Sequence, residues 1–168
     1  MTTTDFSAQA ASWITRLCEQ ASHPGVRASL RSWLSDAARP RAFPAIMSIR
    51  GSLADDDFST VAALYAYHPD HRENAGSIGA LCRKLSGENN TFEGRFKRLL
   101  FCNKEELRNN LRGIILAARS KGHAVDYLGL YRDLRSWENE YYGQEVRKRW
   151  ASDFWAGADK AVSPTVDA

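Results

Sequence analysis

Asn103-Lys-Glu-Glu-Leu-Arg-Asn-Asn-Leu-Arg-Gly-Ile-Ile-Leu-Ala-Ala-Arg-Ser-Lys-Gly122 decides the fold class. Leu107, Leu111, Ile114 and Ala118 recur at three and four residues, the period of a helix with one apolar face. Asn103-Lys104-Glu105-Glu106 starts this helix, the longest expected, and Gly122 ends it as a glycine past a helix C-terminus does. The same period continues on both sides, and few β-branched runs oppose it. The chain is therefore expected to be all-α, a compact helical protein.

Towards the N-terminus, Thr91 opens a helix carrying Phe92, Phe96, Leu99 and Leu100, and Ser77 caps one carrying Ile78, Leu81 and Leu85. Asp55-Asp56-Asp57 suits a helix start, where carboxylates complement the positive end of the dipole. Phe58, Val61, Leu64 and Tyr65 supply its buried side, and His68-Pro69 ends it. Further back, a short helix reaches Met47, another opens at Pro24, and a first runs from about Asp5 to Glu19 with Thr4 as its cap. Towards the C-terminus, Asp126 opens a helix carrying Tyr127, Leu130, Tyr131, Leu134 and Trp137. A last one begins near Glu140 and places Tyr142, Val146, Trp150 and Phe154 on one stripe. Aromatics at this spacing belong to a core. The polar, glycine-ended stretch from His68 to Gly76 divides the chain into two packed sub-bundles, 1–76 and 77–158, followed by a flexible tail over 159–168. No repeat of fixed period is present.

With 168 residues, 43% hydrophobic and 26% charged, the composition is that of an ordinary globular chain of one core. The longest apolar run, Val61 to Tyr67, is far short of the roughly 20 residues of a membrane span. Met1-Thr2-Thr3-Thr4-Asp5 has neither the basic nor the apolar region of a secretory signal, so a cytoplasmic location and no membrane partner are expected. Cys18, Cys82 and Cys102 are odd in number and widely spaced, which reads as three buried thiols without a disulfide or zinc site.

The net charge of +3 is unevenly spread. Between Arg83 and Lys121 ten basic residues face four acidic ones, a candidate anion-binding surface. On the helix after Asn103, advancing about 100° per residue, Arg112 and Arg119 fall within about 40° of Arg108. The apolar face lies beside this strip, so the three arginines border the core along roughly 16 Å. Arginine suits such a place because its planar fork donates two hydrogen bonds to a phosphate and stays charged. Arg95 sits likewise at the edge of the apolar face of the preceding helix. No base-reading helix and no stacking platform interleaves these residues, so contact with nucleic-acid backbone is the simpler expectation.

Catalytic chemistry finds no footing. Neither a nucleophile elbow nor a phosphate-binding glycine loop is present. His68-Pro-Asp-His71 groups two imidazoles and a carboxylate, but Pro69 forbids the helical spacing of a metal site, and a polar loop at a helix end accounts for the same residues. His123, just past Gly122, suits the negative end of a helix. The expectation is no enzyme activity, no cofactor and no metal.

Several strings carry a family resemblance. Ser77-Ile-Gly-Ala-Leu-Cys-Arg-Lys-Leu85, Glu93-Gly-Arg-Phe-Lys-Arg-Leu-Leu100, Leu107-Arg-Asn-Asn-Leu-Arg-Gly-Ile-Ile115, Val125-Asp-Tyr with Asp133-Leu-Arg-Ser-Trp137, and Val146-Arg-Lys-Arg-Trp-Ala-Ser-Asp-Phe-Trp155 follow in order. Ala63-Leu-Tyr-Ala-Tyr-His-Pro69, and Leu30-Arg31 with Ala42-Phe43, extend them weakly. Together they resemble the CasB family, the small subunit of the type I-E CRISPR surveillance complex, Cascade. The resemblance implies an all-α, non-enzymatic protein, two copies of which line an RNA-guided complex. Implied partners are the backbone and large Cascade subunits, the guide RNA, the target and displaced DNA strands of the R-loop, and a second copy of the chain. By motif position it places nucleic-acid contacts at Arg31, Arg95 and Arg112. Charge and geometry add Arg27, Arg98, Arg108, Arg119 and Arg147. Gly94 and Asn109-Asn110 depart from the family pattern, in which many members have a second basic residue before the Arg-Phe and often a His before the Leu-Arg. A stand-alone helical DNA-binding regulator is the alternative, and would prefer one duplex sequence. A hydrolase built on His68, Asp70 and His71 would instead bind a divalent metal.

Overall fold

Side chains start five of the helices, and these caps organise the chain. In the computed structural model, which describes residues 2–161, α1 (Thr3–Gln20) begins at a Thr2–Asp5 capping box. Helix α4 (Asp56–Tyr67) begins at Asp55, whose Oδ1 accepts from the Phe58 N–H at 3.0 Å. Ser77 caps α5 (Ile78–Ser86), Asn103 caps α7 (Lys104–Lys121), and Asp126 caps α8 (Tyr127–Ser136). At Asn103 the box is reciprocal, because Glu106 also accepts from the Asn103 N–H. Gly122 closes α7 at φ 71°, a left-handed turn that a side chain would strain. Helices α2 (Pro24–Arg31), α3 (Phe43–Arg50), α6 (Glu93–Phe101) and α9 (Tyr142–Ala161) complete the set, with three short 3-10 turns. Among the described residues there is no strand, so the fold is all-α.

Helix α4 is the axis of the fold: every residue from Phe58 to Ala66 is buried. It packs against α2 on one side and against α7 and α8 on another. Helix α8, though late in the sequence, also reaches α1, where Phe6, Trp13, Phe58 and Tyr131 pack with ring centres 5.7–6.4 Å apart. Helices α5 and α9 lie closest of all, with Gly79 against the Trp150 backbone; a Cβ built there would stand 1.9 Å from the Trp150 carbonyl oxygen. The buried indoles of Trp150 and Trp137 donate to Asp133 Oδ2 and to the Cys102 carbonyl at 2.8 and 2.9 Å. The buried side chains form one continuous cluster.

Several boundaries differ from the sequence reading, each for a local reason. Thr2, not Thr4, caps α1, because only Thr2 stands three residues before Asp5, which completes the box. Helix α6 begins at Glu93 rather than Thr91, since Ser86 Oγ accepts from the Phe92 N–H and holds that residue in the preceding turn. Helix α3 runs on to Arg50 and stops at the left-handed Gly51. Tyr142 is the first residue of α9 and is 61% exposed, so the inward stripe consists of Val146, Trp150 and Phe154 alone. Cys82 and Cys102 are buried free thiols, whereas Cys18 is half-buried. Helix α9 is continuous to Ala161, and the rest of the expected tail, residues 162–168, lies outside the described residues.

Candidate nucleic-acid interface

Two of the three arginines of α7 face outward from a helix whose other side is buried by Leu107, Leu111, Ile114, Ile115 and Ala118. Arg112 and Arg119 are exposed, as the strip geometry requires. Both meet a residue the strip did not foresee. Tyr67, the last residue of α4, lies with its ring centre 5.5 Å from the Arg112 guanidinium carbon. Its carbonyl accepts from Arg119 Nη1 at 3.3 Å. From the other side, Arg31 at the end of α2 places its guanidinium carbon 5.9 Å from the same ring. Three arginines from two helices thus converge on one tyrosine, and among the described residues none of them has a carboxylate within 4 Å. The π-face of Tyr67 attracts the guanidinium groups of Arg31 and Arg112, while Arg31 Nε donates to the Arg27 carbonyl at 3.3 Å and Arg119 spends Nη1 on Tyr67, which leaves the other N–H groups for a ligand.

Arg95 and Arg98 line a second feature, a groove between α6 and α7 with a cavity volume of about 340 Å³, shared with Leu99, Asn109, Asn110, Gly113 and Ile114. Both arginines are exposed. The Arg95 guanidinium lies 5.1 Å from the Phe92 ring centre, and Arg98 Nε donates back to the Gly94 carbonyl at 3.4 Å.

The remaining arginines are held by the chain itself. Arg27 Nη1 donates to the carbonyls of Ala21 and Ser22 at 2.8 and 3.0 Å, closing the C-terminus of α1. Arg108 turns towards Asp56 at the start of α4, 3.9 Å away, beside the Lys104–Asp57 pair at 3.2 Å. Arg147 donates to the carbonyls of Leu100 and Trp137, both at 3.0 Å, and lies 4.0 Å from the Trp137 ring centre. Burial there draws its pKa below the usual arginine value. Of the strip expected on α7, then, Arg112 and Arg119 face solvent together, while Arg108 is drawn into an ion pair.

The two histidines of His68-Pro-Asp-His71 work as clasps. His68 is buried and its Nε2 pairs with the His123 carbonyl oxygen at 2.6 Å. His71 Nδ1 accepts from the Tyr127 N–H at 3.1 Å, and the Val125 N–H donates to the Asp70 carbonyl at 3.0 Å. These bonds fasten the loop after α4 to the connection between α7 and α8. Among the described residues no group of three or more His, Cys, Asp or Glu is placed to hold a metal ion. No described helix is long and apolar enough to cross a membrane.

An all-α fold that gathers unpaired arginines around an aromatic ring gives the family comparison its setting. The model of the family "CRISPR-associated protein Cse2" matches residues 26–155, a span that includes Arg31, Tyr67, Arg95, Arg112 and Arg119. The chain belongs to this family. Solved Cse2 and CasB proteins have the same fold. A Cse2-family protein from Thermus thermophilus superposes with a TM-score of 0.73 at 23% identity, covering 89% of this chain and 97% of the other. CasB from M. ruber gives 0.69 at 21%, covering 93% and 98%. A chain of a CRISPR RNA-guided surveillance complex gives 0.70 at 18%, covering 92% and 98%. No curated protein gives a significant match to the sequence.

In this Cse2-family chain Tyr67 is the residue that sequence reasoning missed. Its signals were its place at the polar end of the apolar run Val61 to Tyr67 and its membership of the weak family string Ala63-Leu-Tyr-Ala-Tyr-His-Pro69, neither of which gave it a role. The partners that give it meaning stand far away in sequence. Chemically, the cluster offers several fixed positive charges, with N–H donors unspent on the chain, at a surface partly walled by α2 and α7. Phosphate oxygens are the groups that such forks complement best.

Proposed function

We propose that this chain is the non-catalytic small subunit of a type I-E CRISPR surveillance complex, Cascade, and that it holds nucleic-acid backbone during R-loop formation. In this reading it works in the cytoplasm beside the backbone and large subunits, the guide RNA and a second copy of itself. The observation that carries it is the convergence of Arg31, Arg112 and Arg119 on Tyr67 without a carboxylate partner. Exchanging a DNA duplex for an RNA–DNA hybrid of similar stability is nearly balanced, so a few charge-assisted contacts to the separated strands tip it. Base sequence is read by the guide, which agrees with an interface built of guanidinium groups alone.

The test is Arg31→Ala/Arg112→Ala in a reconstituted complex, with Lys148→Ala as the control, because among the described residues Lys148 pairs only with its helix neighbour Glu145. The double variant is expected to assemble and to release target DNA about 10- to 100-fold faster, the loss of one or two charged contacts. Because the variant releases fewer counterions on binding, the deficit narrows as salt rises. R-loops as durable as those of the parent overturn the assignment. Tight binding of the free protein to one preferred duplex sequence would instead make it a regulator.

A further inference from the structure

A trough crosses α8 between α1 and α9. Its inner part, a cavity of about 360 Å³, is bordered by α5, α8 and α9, with Ile78, Leu81 and Leu130 as its apolar wall. Its outer part, about 430 Å³, lies between α1 and α8, where Ala8, Ala11 and Leu128 take that role. Asn74, Asp126 and Arg132 line both parts, so the two adjoin. Neither part is lined by a residue of α6 or α7, which separates the trough from the arginines at Tyr67 and from the α6–α7 groove.

The inner part is mixed in charge, but its carboxylates are engaged by the chain itself. Asp126 Oδ1 accepts from the Gly129 N–H at 2.9 Å and its Oδ2 from the Asn74 N–H at 3.2 Å. The buried Asp133 accepts from Arg149 and from the Trp150 indole, and Asp153 Oδ2 accepts from the Ser77 hydroxyl at 2.6 Å. The arginines keep donors in reserve. Arg132 gives Nη2 to Ser7 Oγ at 2.6 Å and Arg149 gives Nη2 to Asp133; among the described residues their Nε and Nη1 groups donate to nothing. The inner part therefore complements an anion, and a guanidinium fork takes a carboxylate with two parallel hydrogen bonds. The apolar wall beside it complements an aliphatic group on the same ligand.

The shape adds a direction. Gly79 against the Trp150 backbone closes the trough behind Ile78 and Arg149, whereas the exposed Thr4 and Ala8 border its outer end. A chain entering along α1 has to stop at the arginines. We infer that the trough binds the C-terminus of a partner polypeptide, with an aliphatic last residue against Ile78, Leu81 and Leu130 and its carboxylate on the forks of Arg132 and Arg149. The residues before it lie along α1, where Glu73, without a partner among the described residues, favours a basic side chain. Capture of a terminal carboxylate is a recurring way for one protein to hold another.

The experiment uses the full chain and a fluorescein-labelled peptide, Gly-Lys-Ala-Ser-Ala-Val-Leu, read by fluorescence polarisation. The peptide with a free carboxylate is expected to bind saturably, and its C-terminal amide about tenfold more weakly, the loss of one charged contact. Arg132→Gln is expected to weaken the free-carboxylate peptide about tenfold and the amide no more than about twofold. Ala8→Trp fills the outer part from an exposed position, and is expected to weaken the peptide without changing the binding of N-acetylleucine. No saturable binding up to about 1 mM peptide, or equal binding of acid and amide, overturns the inference. So does an Arg132→Gln protein that binds as the parent does. N-acetylleucine that binds as tightly as the peptide makes this a site for a small acid and overturns the polypeptide assignment. Displacement of the peptide by a mixed-sequence oligonucleotide makes it part of a nucleic-acid surface, which overturns the inference as well.

Discussion

Arg147→Ala tests whether an arginine in a basic, motif-matched segment is an interface residue or a latch. In the structure its Nε and Nη1 each donate to a carbonyl at 3.0 Å, one ending α6 at Leu100 and one at Trp137 between α8 and α9. Its guanidinium also lies 4.0 Å from the Trp137 ring centre. A hydrogen bond from a charged donor contributes about 1.5–3 kcal/mol, and a cation over an aromatic face about 0.5–2 kcal/mol. Water can replace part of this at the half-buried Leu100, so about half the sum is expected, roughly 2–4 kcal/mol. For a chain of this size that lowers the Tm by about 4–16 °C. Thermal unfolding followed by circular dichroism reads the shift directly. Arg147→Lys keeps the charge but lacks the fork that reaches two carbonyls at once, and is expected to recover less than half of the loss. A variant that melts within about 1 °C of the parent while binding oligonucleotides more weakly would refute the latch and return Arg147 to the interface.

Two further outcomes follow from the packing. Gly79→Ala is expected to cost at least about 1–3 kcal/mol by overpacking, because its Cβ would stand 1.9 Å from the Trp150 carbonyl oxygen; unchanged unfolding in urea would contradict the α5–α9 contact. Burial raises the pKa of Asp133 above its ordinary 3.8, against the lowering effect of Arg149 and the Trp150 indole. The native state therefore holds this proton more readily than the unfolded chain, so its contribution is full below 3.8 and is lost as pH rises through the folded value. The stability of the parent relative to Asp133→Asn is expected to fall over that window, and urea titrations at several pH values showing it rise would refute the sign.

What could be read in the sequence was what is decided within one helical turn. The caps at Asp55, Ser77, Asn103 and Asp126 stand where expected, because a cap depends on residues two or three positions away. Thr91 failed as a helix start because Ser86, five residues upstream, takes the Phe92 N–H first. Tyr142 kept the apolar spacing yet stands exposed, since spacing alone does not say where the neighbouring helix ends. The candidate interface divides the same way. Periodicity placed Arg112 and Arg119 on one exposed strip. It could not show Arg108 drawn to Asp56, Arg147 turned inward, or Tyr67 receiving Arg31, for these contacts join distant parts of the chain.

The aromatic cluster of Phe6, Trp13, Phe58 and Tyr131 also bears on the order in which the protein can be made. Three of its rings come from the first 58 residues, and the fourth, which touches all the others, comes from α8. During synthesis at about 5–20 residues per second, the ribosome delivers Tyr131 on the order of 4–15 s after Phe58. Until then the faces of α1 and α4 that α8 covers have no partner within the chain, and an exposed aromatic surface of that kind invites aggregation. Contacts this far apart in sequence also slow the search for the native arrangement, because the loop must close before the rings can reward it. The early helices therefore wait for a late one, and a chain cut short before α8 would keep that aromatic face in water.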